Sequence, residues 1–350
     1  MKVIFDGRVL GHRVFSGVEN YAANIYEALA LKMMVSLVKP SSTNRYMQQL
    51  WEHTKLPFLV SESDLLFCPA NIAPIWLPRK TKLVLTLHDV AFKTFGGSFS
   101  KIFSKYYSFV IPWNIRRANE IITVSEASRH EIIKFYPEAE KKISVISLGI
   151  GKKFRVLPGI RKKRQILCVG SINERKNIAG VIEAFERLPG GLGYTLVIVG
   201  NFFGNFSLSS RMQKVLDQAA LNSSIVFKEK LDVDALVYEY NISSCLVFPS
   251  LYEGFGLPPL EAMACGTPVI TSNLSSMPEV CGSAALYVNP YDVSDISEKI
   301  QLLFEDELLQ KEMITKGLKH VGCFTWEKAA KKHIQVFEKV LGCSSGKKNE

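Results

Sequence analysis

Two successive series of short apolar runs, each run parted from the next by a helix-length amphipathic stretch, limit what this chain can fold into. The first series reads KVIFD, DLLFCPA, TKLVLTLHDV, EIITVS and KISVISLGI. The second reads QILCVGS, YTLVIVGN, SIVFKEK, SCLVFPS, TPVITSN and ALYVNP. Runs this short and this rich in Val, Ile and Leu suit strands buried on both faces, with the amphipathic stretches as crossover helices. The pattern predicts an α/β protein with two Rossmann-like doubly wound domains facing a cleft, and ligands at the carboxyl ends of the strands.

Between the series the pattern breaks. GKKFRVLPGIRKKRQ, from Gly151, holds Pro158, Gly159 and seven Lys or Arg residues, the composition of an interdomain linker. It predicts a first domain over 1–158 and a second over 159–325. FTWEKAAKKHIQVFEKVL predicts a terminal helix within 326–350, and GCSSGKKNE a frayed tail.

A hydrophobic content of 47% against 22% charged residues is that of a chain with large cores. No apolar run reaches the roughly 18 residues a spanning helix needs. MKVIFDGRVLG meets Asp6 and Arg8 too early for a signal peptide. The seven cysteines are odd in number, form no C-x-x-C and partly lie inside apolar runs, so reduced, buried thiols in the cytoplasm are expected. Residues 1–158 carry 22 Lys or Arg against 12 Asp or Glu and the remainder carries 21 of each, so the whole net charge of +10 lies in the first half. A basic surface seeks phosphate in a nucleic acid, a lipid headgroup or a phosphorylated substrate, although it also serves plain solubility.

The most constrained stretch is SLYEGFGLPPLEAMACGTPVI, Ser250 to Ile270. It leaves the run CLVF, spends Gly254 and Gly256 on a turn, and starts a helix with Pro258 and Pro259. Proline is tolerated in a first helical turn. Glycine lets backbone approach a ligand, and a helix N-terminus attracts an anion. Glu253 and Glu261, with seven residues between them, then suit the two ends of a phosphate-bearing ligand. One carboxylate would accept from hydroxyls such as a ribose diol and the other would face a reacting carbon. Taken singly, Glu261 could complement the helix dipole and Glu253 be solvated, but the paired glycines and prolines have no place in that reading.

EGFGLPPLEAMACGTPVITSNLSSMPEV resembles the Glu-x7-Glu signature of the family 4 retaining glycosyltransferases, which have the GT-B fold, and the likeness continues through GSAALYVNPYDV. It extends over nearly the whole chain. It is strongest from Gln165 to Asp295 and weakest between Lys32 and Leu65, where the chain looks short and irregular. The resemblance implies sugar transfer from a nucleotide diphosphate donor held mainly by the second domain. In VGSINERKN, Gly170, Arg175 and Lys176 follow that domain's first strand. Two cations opposite a diphosphate would neutralise the leaving group's growing charge, and the family's Arg and Lys contact the phosphates. Cations at a helix entry are unfavourable to its dipole, which argues against a merely solvated helix start. The resemblance further implies Gly200 and Asn201 beside the nucleotide, and backbone groups of Lys230 and Leu231 at the base. It puts Gly254, Phe255, Gly256 and Leu257 at the phosphates, Glu261 on the ribose and Glu253 facing the sugar. The terminal helix is expected to pack back across the domain junction, as in relatives.

In the first domain, Gly17 of SGVENYA resembles the family's glycine loop near the donor phosphates, with Ser16 where many relatives have a second glycine. His88 of TLHDVAF ends a strand, where catalytic histidines serve; the family's histidine contacts the transferred sugar. Ser125 and Arg129 of VSEASRHEI are candidate acceptor contacts, and Ser125 also reads as a helix N-cap. The expected catalytic set is thus Glu253, His88, Arg175 and Lys176. DVD at Asp232–Asp234 lies at a helix start, where acids cap. No metal and no cofactor are expected, Arg175 and Lys176 replacing a divalent cation.

LPRKTK and SKIFSKYYSFVIPWNIRRA interleave Lys101, Lys105, Arg116 and Arg117 with Phe103, Tyr106, Tyr107, Phe109 and Trp113. That mixture suits an anionic membrane surface, although aromatics at helical spacing also fit a core. The charge asymmetry fits a lipid-linked glycan acceptor. MKVIFDGRVL and SGVENYA look like bacterial O-antigen and capsule enzymes, many of them mannosyltransferases. GDP-mannose is therefore the favoured donor, with UDP- and dTDP-sugars open. The expected place is the cytoplasm, peripheral on the inner face of the cell membrane. The rival readings are a GT-B nucleotide-sugar epimerase and a non-catalytic nucleotide-sugar-binding protein. A nucleic-acid module is suggested by charge alone and is not expected.

Overall fold

The computed structural model describes residues 2–11, 17–95, 99–189, 193–200, 208–229 and 231–342. Two compact units divide the chain. The first comprises Met1–Val90, Lys105–Gly149 and Phe324–Glu350, the second Ala91–Ser104 and Ile150–Cys323. The division falls between Gly149 and Ile150 rather than after Pro158, and the terminal helix belongs to the first unit.

In the first unit, β1 (Val3–Asp6), β2 (Val35–Val38), β3 (Leu65–Cys68), β4 (Lys82–Thr86), β5 (Glu120–Thr123) and β6 (Ile143–Val145) form one parallel sheet in the order β2-β1-β3-β4-β5-β6. Every residue of β1, β3 and β5 is buried, as a sheet covered on both faces requires. The helices along this part of the chain are α1 (Gly17–Ala30), α2 (Arg45–Thr54), α3 (Leu56–Leu59), α4 (Ala91–Thr94, in the second unit), α5 (Lys101–Arg117) and α6 (Glu126–Phe135).

The stretch between Lys32 and Leu65 is more regular than its sequence suggests. The Asn44 side chain caps α2 by accepting from the Tyr46 and Met47 amides. The buried face of α2 is polar: Gln48 and Glu52 have no exposure, whereas Tyr46, Met47 and Leu50 are exposed. Glu52 is ion-paired with buried Arg8 at 3.0 Å, and Gln48 donates to the Ser42 carbonyl. A helix that buries its polar side inverts the pattern by which helices are recognised.

The second unit holds β7 (Gln165–Val169), β8 (Thr195–Val199), β9 (Ile225–Lys228), β10 (Cys245–Phe248), β11 (Val269–Ser272) and β12 (Leu286–Val288), again all parallel, in the order β12-β11-β10-β7-β8-β9. Around it lie α7 (Ile178–Glu186), α8 (Ser210–Ala219), α9 (Val233–Ile242), α10 (Leu257–Ala264), α11 (Met277–Cys281), α12 (Val293–Glu305) and α13 (Glu307–Val321). Ile166, Ile198 and Val247 of the sheet pack with Val181, Phe185 and Ile300 of the helices in one core.

α14 (Trp326–Leu341) starts at the Thr325 cap, which accepts from the Lys328 amide, and ends at left-handed Gly342. Its apolar stripe of Trp326, Ala330, Val336 and Phe337 is buried in the first unit, with Phe337 against Phe67 at 5.2 Å. The stripe also carries His333, which has no exposure. Its Nδ1–H meets the Ala329 carbonyl at 2.8 Å, so Nε2 accepts from the Tyr21 hydroxyl at 2.7 Å.

Cys68, Cys168, Cys245, Cys265 and Cys281 are free and buried, and Cys323 is free and exposed. Cys343 lies outside the described residues. Among the described residues no helix is long and apolar enough to cross a membrane.

Candidate active site

The strand order of the second sheet reverses between β7 and β10, since successive strands proceed one way from β7 to β9 and the other way from β10 to β12. At such a switch point the loops leaving the two strands part to opposite faces and open a crevice. The Glu174–Lys176 turn follows β7 and the Tyr252–Gly256 turn follows β10, which brings the predicted cations and carboxylate together.

Asn173 shapes the first turn by accepting from the Lys176 amide, and Asn177 ends it in the left-handed region at φ 54°. The Asn177 amide group donates to the Pro290 carbonyl at 2.6 Å and the Pro249 carbonyl at 3.3 Å, tying this loop to those after β12 and β10. Arg175 Nη1 donates to the Tyr252 carbonyl at 2.9 Å and to Glu253 Oε2 at 3.1 Å. Lys176 Nζ donates to Glu253 Oε1 and lies over the Phe248 ring, 4.8 Å from its centre. Burial by itself would raise the Glu253 carboxyl, but Lys176 and Arg175 outweigh it and hold that group below the ordinary carboxylate range. Burial lowers Lys176, with Arg175 adding to the effect and Glu253 opposing it. The arrangement is an ionised carboxylate held between two cations, which an incoming anion can exchange for itself.

The turn after β10 differs from expectation in one respect. Tyr252 to Gly256 are all buried. The Ser275 hydroxyl donates to the Glu253 carbonyl at 2.7 Å, and Ser276 donates to the Phe255 carbonyl at 2.8 Å. Gly256 adopts φ 102°, and a Cβ there would meet the Met277 thioether methyl. Glycine is needed both for its backbone and for that close approach. Pro258 and Pro259 bring no N–H to the start of α10, so its first turn offers few amides. The turn is a braced segment rather than a row of bare donors, and positive charge at this site comes chiefly from Arg175 and Lys176. Leu257 is half-buried.

Glu261, on α10, is 7% exposed and accepts from the Tyr240 hydroxyl at 2.9 Å. Burial raises its carboxyl to about 7, the Tyr240 hydrogen bond pulling it back only in part. Gly200 packs on the Gly170 carbonyl, where a Cβ would collide, so β7 and β8 leave the sheet backbone to backbone. The Lys176 stem runs beside Gly170, its carbons 3.4 Å from where a Cβ would stand. Leu231 is half-buried; Asn201 and Lys230 lie outside the described residues.

The remaining predicted residues stand at carboxyl ends of the first sheet. Gly17 begins α1 with nothing within 4 Å of a Cβ. His88 donates its backbone N–H to Asn71 Oδ1 at 2.8 Å, and its Nε2 lies 2.9 Å from the Pro69 carbonyl. The Tyr21 ring stands edge-on to it at 4.7 Å. Burial lowers the His88 imidazole and so favours its neutral form. Ser125 is the N-cap of α6, accepting from the Ser128 amide, and Arg129 reaches Glu126 at 3.3 Å. Sequence reasoning missed Tyr240, Asn177 and Asn71. The one local hint for the two asparagines is that asparagine tolerates left-handed backbone, which both adopt.

Two parallel α/β units, the second with cations and a carboxylate gathered at its switch point, define a two-domain α/β class of GT-B architecture. The architecture matches sucrose-phosphate synthase from Thermosynechococcus elongatus with a TM-score of 0.78, over 98% of this chain and 100% of that one, at 19% identity. The profile "Glycosyl transferases group 1" matches residues 151–320 and "Glycosyltransferase Family 4" matches residues 35–152. The O-antigen chain mannosyltransferase B of Escherichia coli is 30% identical over 277 residues, 75% of this chain and 72% of that protein. The serotype-specific mannosyltransferase WbdA of Escherichia coli is 32% identical over 241 residues, 65% of this chain. The matched part is about 30% of the length of WbdA. The chain belongs to the group 1, family 4 glycosyltransferases.

Proposed function

We propose that this chain is a retaining glycosyltransferase acting at the cytoplasmic face of the cell membrane. It moves mannose from GDP-mannose to a hydroxyl of a lipid-linked glycan in surface-polysaccharide assembly. The observation that carries this reading is the Arg175–Lys176–Glu253 cluster at the switch point of the second sheet. The relatives, an O-antigen chain mannosyltransferase and a serotype-specific mannosyltransferase, favour mannose and surface polysaccharide.

In this reading Arg175 and Lys176 transfer their hydrogen bonds from Glu253 to the β-phosphate as its charge grows, the largest electrostatic contribution such a site can make. No metal is required for that neutralisation. Glu253, ionised, stabilises positive charge at the anomeric carbon. The bond from that carbon to the phosphate oxygen breaks while the bond to the acceptor oxygen forms on the same face. The acceptor's proton leaves with the phosphate. In the same reading His88 is assigned to a sugar hydroxyl, and Ser125 and Arg129 to the acceptor.

Membrane association rests on the first unit's surface. Phe58, Trp76, Phe109 and Trp113 are exposed, from 48% to 70%, among exposed Lys55, Arg79, Lys80, Lys105 and Arg116. Aromatic side chains interleaved with cations suit an anionic interface.

The deciding experiment incubates the protein with GDP-mannose and a polyprenyl-diphosphate-linked glycan, with and without EDTA, and assigns the product's anomeric configuration by NMR. Retention with EDTA-insensitive turnover is expected. Inversion, or no release of nucleotide from GDP-, UDP-, ADP- or dTDP-sugars, overturns the reading. Flotation with vesicles containing phosphatidylglycerol tests the membrane part, which fails if the protein does not float.

A further inference from the structure

The first sheet has a switch point of its own. Its strand order reverses between β1 and β3, and Asp6 and Cys68 are the last residues of those two strands. Arg8 follows on the turn after β1, and α2 brings Glu52 to the same place. Asp6 is 1% exposed, Arg8 6%, and Glu52 and Cys68 not at all. One oxygen of each carboxylate is held by Arg8. Asp6 Oδ1 accepts from the Arg8 amide at 2.9 Å, and Glu52 Oε2 is ion-paired with the guanidinium at 3.0 Å. The other two oxygens, Asp6 Oδ2 and Glu52 Oε1, accept from no donor. Buried carboxylate oxygens left so are costly and require a positive partner.

Cys68 indicates which partner. Among the described residues, Asp6, Glu52 and Cys68 form a group whose carboxylate oxygens and thiol sulfur all lie within 4.8 Å of one another. Small side-chain rotations bring them to the roughly 3.5 Å at which tetrahedral zinc spaces its oxygen and sulfur ligands. Charge agrees. Two carboxylates and a zinc-bound thiolate supply three negative charges, and Arg8 with a divalent cation supplies three positive ones. Burial raises all three acidic groups, the mark of negative charge that Arg8 alone does not balance. A sulfur in the donor set selects zinc over magnesium and calcium, which take oxygen. Arg8 then stands behind the ligands and holds the oxygens that the ion does not use, as outer partners of metal-bound carboxylates do. His53, the next residue on α2, is engaged elsewhere. Its Nδ1 accepts from the Ile75 amide at 3.4 Å, and its Nε2–H meets the Tyr106 hydroxyl at 2.6 Å.

We propose that Asp6, Glu52 and Cys68 bind one zinc ion, water taking the fourth position, and that this ion pins α2 to the carboxyl ends of β1 and β3. The site departs from the expectation that no metal is bound, and it gives a reason for the polar buried face of α2. The ion is structural. It lies in the first unit and has no part in neutralising the leaving phosphate, which is assigned to Arg175 and Lys176 of the second. EDTA-insensitive turnover therefore remains the expectation, and failure of the zinc site leaves the donor site untouched.

The test uses full-length protein without a polyhistidine tag, treated with EDTA, loaded with zinc chloride and desalted. Metal per chain is counted by inductively coupled plasma mass spectrometry, and a second portion is loaded with cobalt(II) for its absorption spectrum. Wild type is expected to retain about one zinc per chain, to melt higher with zinc than without, and to show a thiolate-to-cobalt charge-transfer band. Cys68→Ser is expected to lose that band, whereas Cys323→Ser, at the exposed cysteine, keeps it. Glu52→Gln is expected to weaken zinc by about a hundredfold or more, since changes even behind the ligands cost about ten- to a hundredfold. Should Cys68→Ser fail to fold, as judged by circular dichroism, Glu52→Gln carries the comparison. Wild type that retains no zinc after loading overturns the proposal. So does stoichiometric zinc that survives Glu52→Gln unchanged, which places the ion elsewhere, or a cobalt spectrum without the thiolate band.

Discussion

The Lys176 ammonium and the Glu253 carboxylate, 77 residues apart in sequence, form an ion pair at the mouth of the β7–β10 crevice, with Arg175 on the other carboxylate oxygen. The two side chains are 11% and 9% exposed, so the pair is largely out of water. Anion and carboxylate therefore compete for the same two cations.

Replacing Glu253 by Gln removes the competing charge. GDP affinity is expected to hold or improve, while turnover falls by about a hundredfold, because stabilisation of the developing positive charge is lost. Replacing Lys176 by Ala is expected to weaken GDP binding and to lower turnover by about a hundredfold or more. Calorimetry beside initial rates checks both. Weaker GDP binding in Glu253→Gln would show that the carboxylate supports the nucleotide rather than competing with it.

Glu261 contributes a stability cost at neutral pH. Its carboxyl is raised to about 7 from 4.5, so between those values the folded protein binds more protons than the unfolded chain. Stability on this account falls as pH rises from 4.5 to 7, by up to about 3 kcal/mol. Glu261→Gln is expected to melt higher than wild type at pH 8 and to match it near pH 4.5, while binding GDP more weakly. Thermal melts at both pH values test this, and equal melting at pH 8 would show that the carboxylate carries no such cost.

His333 acts in the opposite direction. Burial lowers its imidazole to about 4 from 6.5, so below pH 6.5 the unfolded chain binds the extra proton. Stability is full above pH 6.5 and is lost as pH falls toward 4, by up to about 3 kcal/mol. His333→Gln retains an acceptor for the Tyr21 hydroxyl but cannot titrate. Urea denaturation at pH 7 and pH 4.5 is expected to show a smaller acid loss in the variant, and an unchanged loss would place the acid sensitivity elsewhere.

Asn177 combines a left-handed backbone with two hydrogen bonds that join three loops. Asn177→Ala loses both bonds and pays the steric cost of φ 54°, together about 2–3 kcal/mol. Asn177→Gly keeps the backbone and is expected to be the milder variant by about 1 kcal/mol. Comparing the two melts separates backbone from side chain; equal melts would show that the hydrogen bonds account for the whole effect.

Most of the architecture was legible in the sequence because parallel strands are buried on both faces and leave an uninterrupted apolar run. KVIFD, QILCVGS and SCLVFPS appear as β1, β7 and β10, and the turn following each could be located from its glycines, asparagines and prolines. α2 was not legible, because its buried side chains are Gln48 and Glu52 and its apolar ones face solvent. Nor was the site beyond its residue types. Arg175, Lys176 and Glu253 could be picked out, but which of them pair depends on β7 and β10 being neighbours, and local periodicity does not encode strand order. The same holds for the bracing of the turn by Ser275, Ser276 and Met277, and for the Tyr240 phenol at Glu261. By itself the sequence determined which segments are strands and which loops carry charge, since burial pattern and turn chemistry act over a few residues. The tertiary structure alone decided which of these groups meet, because the contacts join segments 20 to 80 residues apart, and the pairing of Arg175 with Glu253 needs the sheet's switch point to make β7 and β10 neighbours.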